Sequence, residues 1–277
     1  MKEKKALREF LIRSRDEKIA KPAYNALIIN REMAGNDLFY KLQNTAFGET
    51  LRAIAQENKG NSKVTYVKRE RTYYFNQDPH DTAYRICISP RIAESPAEVL
   101  KIFRHALATS GKDQVSYKVF EVLGRHDQII IYLTPVEMAD FGTTIEQFKR
   151  DCPPEYLAAE SLASGLPIGP GISVGMEPVE LKAITETNKN ILPPNKIGQF
   201  PYNGLIAYAL TLAYSLAYHH HFGNERKSDY QLEELEIPAY QYFEQILKIA
   251  EIRPETMMSE STKEVNIPDW IRSYIGL

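Results

Sequence analysis

The chain has 277 residues, of which 43% are hydrophobic and 25% charged, and its formal net charge is -2. These values are ordinary for a globular protein. They provide no global field for nucleic acid or an acidic membrane, so any anion site must be local. Cys87 and Cys152 are the only cysteines, too few for a disulfide framework and consistent with a reducing compartment. No apolar run is long enough to span a bilayer. The basic opening MKEKKALREFLIRSRDEK lacks the apolar core and cleavage site of a secretory signal. An address read by a bacterial injection apparatus needs neither feature. Nucleic acid and membrane are therefore not expected as partners.

Residues 1–58 read as helical. Leu7, Phe10 and Leu11 fall at i, i+3 and i+4, and Leu38, Leu42, Leu51 and Ile54 continue the spacing after Gly35-Asn36-Asp37. From Lys63 the period changes: KVTYVKRERTYYF alternates and is rich in Thr, Tyr and Val, which predicts a strand. Asn76 to Asp81 supplies a turn, and AYRICISP is a second strand closed by Pro90. Ser95-Pro96-Ala97-Glu98 then opens a helix, with a capping serine, a first-turn proline and an acidic third position. Its apolar face is Val99, Leu100, Phe103 and Leu107, and Gly111 ends it.

The stretch from Asp113 to Leu133, DQVSYKVFEVLGRHDQIIIYL, reads as two strands joined by a short polar turn, and Pro135-Val136-Glu137 begins another helix. Cys152 to Pro194 is dense in proline and glycine, and part of it predicts an ordered excursion over the sheet. In the last third, Leu205, Ile206, Leu210, Leu212 and Leu216 predict a buried helix. A second candidate spans Ile237 to Ile252, and a short segment surrounds Trp270. The expected class is α+β, with a mostly antiparallel or mixed sheet, packed helices, a helical N-terminal segment and a helical C-terminal third. Residues 1–60 are the helical segment and 61–277 the α+β domain, the two forming one compact unit.

Four residues of the Asp113–Leu133 stretch carry chemistry: Lys118, Arg125, Asp127 and Tyr132. Cations, a carboxylate and a phenol converging on one sheet are what a phosphorylated ligand needs. A hairpin with an exposed and weak ion pair is the commoner meaning of such spacing, and both readings stand at this level. Other features carry less. His219-His220-His221 cannot all face one metal from a helix and fit a helix end before Gly223-Asn224. With no Cys-x-x-Cys or His-Glu-x-x-His pattern, no metal or other cofactor is expected. The glycines from Gly165 to Gly175 lack the Gly-Lys-Ser/Thr ending of a nucleotide loop. Lys63, Lys68, Arg69 and Arg71 fit a solvated edge strand, where lysines oppose edge pairing; the sharper alternative is a groove beside Lys118 and Arg125. Cys87, between Ile86 and Ile88, reads as packed rather than nucleophilic.

Set in order, several blocks resemble the HopA-type family, which comprises bacterial type III effectors and lyase subunits of class V lanthipeptide and thioamitide synthesis. SYKVFEVLGRHDQIIIYL resembles that family's Lys…Arg-x-Asp…Tyr segment, and FYKLQNTAFGE, from Phe39 to Glu49, resembles the block before its sheet. YRICISP resembles its strand ending in proline. LASGLPIGPGISVGMEP with GQFPYNGLIAYAL resembles the late Gly-rich block and following helix. The likeness covers roughly residues 38 to 215, and it rests on order and spacing because each motif is loose.

The resemblance implies an architecture like that of the phosphothreonine lyases, which remove phosphate from phosphothreonine by β-elimination. It implies Lys118 and Tyr132 as catalytic residues, Arg85 and Arg125 as phosphate ligands, and Asp127 as the group orienting Arg125. The implied partners are a phosphorylated peptide or protein with a kinase subunit or a host protein. The implied setting is the bacterial cytoplasm, or a host cell for a secreted effector. Two departures stand out. Where the phosphothreonine lyases carry Lys-x-His, this chain has Arg85-Ile86-Cys87, and arginine is a poor general base. Where the late block commonly reads Ser-Phe-Gly and then arginine, this chain has Gly198-Gln199-Phe200-Pro201-Tyr202. The non-catalytic alternative is an effector, or a degenerate subunit, acting through protein–protein contact.

Overall fold

Alternating apolar residues in the middle of the chain build one sheet, and helices from both sides of that stretch in sequence cover one of its faces. The computed structural model describes residues 37–59, 66–69, 71–76, 84–91, 96–162, 165–176, 236–249, 252–253, 258–259 and 268–275, with Ala209, Ala213, Leu216, Ala217, His220 and His221. Leu7, Phe10, Leu11, Lys63, Ser95, Leu205, Ile206, Leu210 and Leu212 lie outside them, as does the segment 198–202.

Helix α1 spans Asp37–Lys59 and buries Phe47, Leu51, Ile54 and Ala55, the i, i+4, i+7, i+8 stripe of a helix packed on a core. The predicted strand after Lys63 is two strands: β1, Tyr66–Arg69, and β2, Thr72–Phe75, with Arg69 opposite Thr72. The chain reverses between Arg69 and Thr72, where the sequence carries none of the Gly, Asn or Asp residues that mark tight hairpins; nothing in the composition announced it. The turn also changes parity, so that Lys68 lies opposite Tyr73. Strand β3 is Tyr84–Ile88. Helix α2, Pro96–Thr109, buries Val99, Leu100, Phe103 and Leu107 and is followed by Gly111 at φ 67, as its sequence predicts.

Strands β4, Ser116–Phe120, and β5, Ile129–Leu133, follow. Helix α3, Pro135–Asp140, starts from a reciprocal cap: the Thr134 hydroxyl accepts the Glu137 N–H, and the Glu137 carboxylate accepts the Thr134 N–H. Helix α4 is Gly142–Asp151, and a 3-10 turn covers Pro154–Tyr156. The described part of the Gly/Pro-rich block forms more regular structure than an excursion: Leu166–Gly169 is β6 and Ile172–Met176 is β7, while residues 177–194 lie outside the described residues. Both belong to the sheet, whose order is β1-β2-β4-β5-β3-β7-β6. Strand pairs with defined register are antiparallel. Pro167 falls in β6, at the sheet edge, where a missing N–H costs no ladder bond.

Register settles which side chains share a face. Tyr73, Phe75, Tyr117, Val119, Ile129, Ile131, Leu133, Tyr84, Ile86 and Ile88 point one way, and all are buried. Phe103 of α2 meets Tyr117 edge-on at 5.5 Å and Phe148 of α4 at 6.1 Å, while Phe75 stacks on Tyr117 at 4.7 Å. Helix α1 packs beside α2 and α2 beside α4, forming the layer over this face. Aromatic pairs of this geometry add about 1 kcal/mol each beyond the area they bury.

The chain divides into two compact units. One runs from Ile28 to Gly175 and resumes from Val265 to Leu277, carrying the sheet and its helices. In its returning segment, α6, Asp269–Ile275, buries Ile271, and the Trp270 indole N–H donates to the Met138 carbonyl at 2.8 Å. The other unit takes Met1–Leu27 with Met176–Glu264. Its described parts are helix α5, Glu236–Ile249, the short pair β8, Ile252–Arg253, and β9, Met258–Ser259, and the helical residues Ala209, Ala213, Leu216, Ala217, His220 and His221. Among the described residues no helix is long and apolar enough to cross a membrane.

The β6–β7 turn is tied to the end of β3. The Ser89 N–H donates to the Gly171 carbonyl at 2.7 Å, and the Ala158 N–H donates to the Ser89 carbonyl at 2.9 Å. Gly171 has φ 61, and a Cβ there would lie 2.7 Å from the Ser89 carbonyl oxygen. Gly171→Ala therefore combines left-handed strain with a backbone clash and is expected to cost about 3 kcal/mol. Gly111→Ala, at φ 67 in open space, pays the strain alone, about 1 kcal/mol. Urea unfolding of the two variants checks the difference; equal midpoints would contradict it.

Candidate functional site

The face of the sheet away from α2 and α4 is where the polar residues collect. On β4, Lys118 lies opposite Tyr74 of β2 and Ile130 of β5, and Ile130 lies opposite Cys87 of β3. In the next row Ser116, Tyr132 and Arg85 are in register. Side chains two apart on a strand share a face, so Lys118, Phe120, Tyr132 and Arg85 stand together. Each of the four is half-buried, unlike the closed helix-side face.

Arg125 and Asp127 reach the same place from the connection between β4 and β5. Strand pairing puts both in a loop, residues 121–128, longer than the short turn expected from sequence. The loop is held firmly. The Phe120 N–H donates to the Gln128 carbonyl at 3.0 Å, and the Gln128 side-chain amide donates to the carbonyls of Phe120 and, at 3.2 Å, Val122. Gly124 at φ 97 lets the chain reverse. Arg125 grips Asp127 with two bonds, Nε to Oδ1 at 2.8 Å and Nη2 to Oδ2 at 3.1 Å. The pair is not the exposed one that spacing alone allows: the side chains are 20% and 2% exposed. A two-pronged, largely desolvated Arg–carboxylate contact fixes the guanidinium plane.

Aromatic rings alternate with the cations. The Arg85 guanidinium carbon is 5.2 Å from the Tyr132 ring centroid, and Lys118 Nζ is 5.5 Å from the same ring. Lys118 Nζ is 5.1 Å from the Phe120 ring, and the Arg125 guanidinium carbon is 3.8 Å from it. The structure thus gathers all five residues singled out from sequence: Arg85, Lys118, Arg125, Asp127 and Tyr132. Phe120 was missed, although its position two residues beyond Lys118 on an alternating strand would have found it.

Lys118 makes no hydrogen bond or ion pair with a described residue, and its surroundings discourage its charge. Burial, and then the Arg85 cation, pull its pKa from the ordinary 10.5 down to about 8, with Asp127 acting in the opposite direction. Cys87 is buried, and burial with the nearby Asp127 carboxylate pushes its thiol up to about 12, so it is packed in surroundings that disfavour the thiolate a nucleophile needs.

Two other features fall elsewhere. Lys68 is in register with Tyr73 and so with Val119, on the helix-side face. At this edge strand it donates to the Tyr73 hydroxyl at 3.1 Å and pairs with Glu121 at 3.2 Å. It guards an edge, and parity keeps it out of any groove around Lys118. His220 and His221 are exposed helical residues, His220 meeting the Tyr242 ring at 6.3 Å. Among the described residues no group of His, Cys, Asp and Glu could hold a metal ion.

No protein-family model matches the chain, and no curated protein matches its sequence.

Lys118 couples stability to pH. Below pH 8 the folded and unfolded chains both hold the proton, and the folded one bears the full penalty of a depressed pKa, about 3 kcal/mol. Between pH 8 and 10.5 the folded chain releases the proton first, and the penalty fades. Lys118→Met is therefore expected to stabilise the protein at pH 7 and to lose that advantage by pH 10.5. Urea unfolding at the two pH values measures this; a gain that grows with pH would contradict it.

Proposed function

We propose that this chain is a HopA-type, phosphothreonine-lyase-like protein that binds phosphorylated Ser or Thr side chains of a peptide on the polar face of its sheet and eliminates the phosphate. The observation carrying this reading is Lys118. It is held on the sheet near two guanidinium groups, makes no hydrogen bond or ion pair with a described residue, and has a pKa drawn down to about 8. The phosphate charge favours the ammonium form that Lys118 becomes once it has taken a proton. Before elimination the same residue serves as base, its lowered pKa in the ligand-free site making the neutral amine more accessible at pH 7 than in an ordinary lysine.

In the elimination, neutral Lys118 takes the Cα proton. The C–H electron pair becomes the Cα–Cβ double bond, and the Cβ–O bond breaks with its pair leaving on the phosphate. Arg85 and Arg125 hold the departing charge, with Arg125 oriented by Asp127. Tyr132, against both Arg85 and Lys118, is the phenol available to the leaving oxygen. The product is a dehydrated Ser or Thr residue, the precursor of a lanthionine ring in peptide maturation.

One observation favours a second reading, a type III effector or degenerate subunit that binds through this face without catalysing. At the strand position where the lyases carry histidine stands Cys87, buried and with its thiol pushed up to about 12. The site then has no second residue ready to move a proton on that strand.

Incubation with phosphothreonine and phosphoserine peptides, read by mass spectrometry, separates the readings. The lyase reading predicts loss of phosphoric acid from the peptide, abolished by Lys118→Ala and faster as the pH rises from 7 to 9, because the base must be neutral. Arg125→Ala is expected to weaken phosphopeptide binding roughly 10-fold or more. Binding without elimination, still sensitive to Arg85→Ala and Arg125→Ala, supports the second reading. No difference in affinity between phosphorylated and plain peptides overturns both.

A further inference from the structure

Three cations that converge on one ligand repel each other in its absence; Asp127 offsets the charge of Arg125 alone, so the cluster also needs a support that does not neutralise it. Carboxylates give support at a cost, since each cancels a charge the ligand would otherwise meet. Ring faces do not cancel charge: they attract a cation through the quadrupole and leave its net charge intact. Phe120 is placed for this. It sits on β4 two residues beyond Lys118, on the same face. Its backbone N–H and C=O are both bonded to Gln128, the N–H to the carbonyl and the C=O to the side-chain amide, so the ring projects from a fixed point.

The Arg125 guanidinium carbon is 3.8 Å from the Phe120 centroid. An in-plane approach cannot come that close, so the guanidinium lies over the face of the ring. Lys118 Nζ is 5.1 Å from the same centroid. One ring therefore touches both a strand cation and a loop cation.

We infer that Phe120 is a positioning residue that aligns Lys118 and Arg125 toward a common phosphate, its aromatic face doing so without neutralising either. This rests on the phosphate-binding reading above. Asp127 fixes the guanidinium plane at one side and Phe120 supports it from the face, so Arg125 is oriented before a ligand arrives. Preorganisation of this kind raises affinity by removing the cost of ordering the side chain on binding.

The test compares Phe120→Leu, which keeps an apolar side chain and removes the ring, with Phe120→Tyr, which keeps the ring face. The probe is a phosphothreonine peptide, with its unphosphorylated form as control, and binding is followed by calorimetry. Phe120→Leu is expected to weaken binding roughly 5- to 10-fold, and Phe120→Tyr to stay within about 2-fold of the parent. In the Arg125→Ala background the Leu substitution is expected to lose most of its effect, because coupled residues are non-additive. A purely structural role would instead weaken binding equally with and without Arg125. That outcome, or equal affinities for the Leu variant and the parent, overturns the inference. Absence of phosphate-dependent binding by the parent would overturn the phosphate reading itself, a result distinguishable from failure of the Leu variant alone.

Discussion

Period-two alternation across β2, β4, β5 and β3 is the constraint on which the rest of this protein depends. Registers Tyr73–Val119, Tyr117–Ile131 and Ile86–Ile131 put ten large apolar side chains on one face. A slip of one residue in any pair would turn that strand's apolar set outward. The burial of Tyr73, Tyr84, Phe75 and Phe103 therefore fixes the position of every residue on the opposite face. Lys118, Phe120, Tyr132 and Arg85 are neighbours because their apolar sequence neighbours had to face the helices. The chemistry of the polar face is positioned by the core behind it.

This explains how the site tolerates buried charge. Partly buried cations cost free energy unless something nearby offsets the loss of water. Arg125 has a two-pronged carboxylate in Asp127 and a ring face in Phe120, whereas Lys118 has rings at 5.1 and 5.5 Å and no bond to a described residue. The two cations are thus held by different means, one rigidly and one loosely. A fixed guanidinium suits recognition, and an ammonium whose charge is easily given up suits proton transfer.

Much of this was legible in the sequence, for stated reasons. Helices α1, α2, α3 and α5 follow from 3.6-residue spacing and punctuation, as at Pro96, Gly111 and Pro135. Lys118 and Tyr132 could be placed on strands because Val, Ile and Tyr surround them. The β1–β2 reversal between Arg69 and Thr72 could not be read, since long-range packing of Tyr73 and Phe75 chose it over any local turn preference. The β6–β7 hairpin was hidden for the opposite reason: Pro167, Gly169 and Gly171 signal a loop, yet an edge position and a left-handed turn accept them. The Arg125–Asp127 pair was visible as a pair but not as a buried one. Its burial depends on the loop being held down by Gln128, a residue with no local signal for that role.

The return of residues 265–277 to the sheet unit has a consequence for how the chain matures. Trp270 docks where Gly142 leaves no side chain: a Cβ there would lie 2.6 Å from the indole. The Met138 carbonyl waits 132 residues for its donor. At the pace of a ribosome that interval is on the order of ten seconds, long compared with the time in which most single domains collapse. The sheet and its helices therefore emerge with the notch at Gly142 uncovered, and it closes only when the chain's own tryptophan arrives.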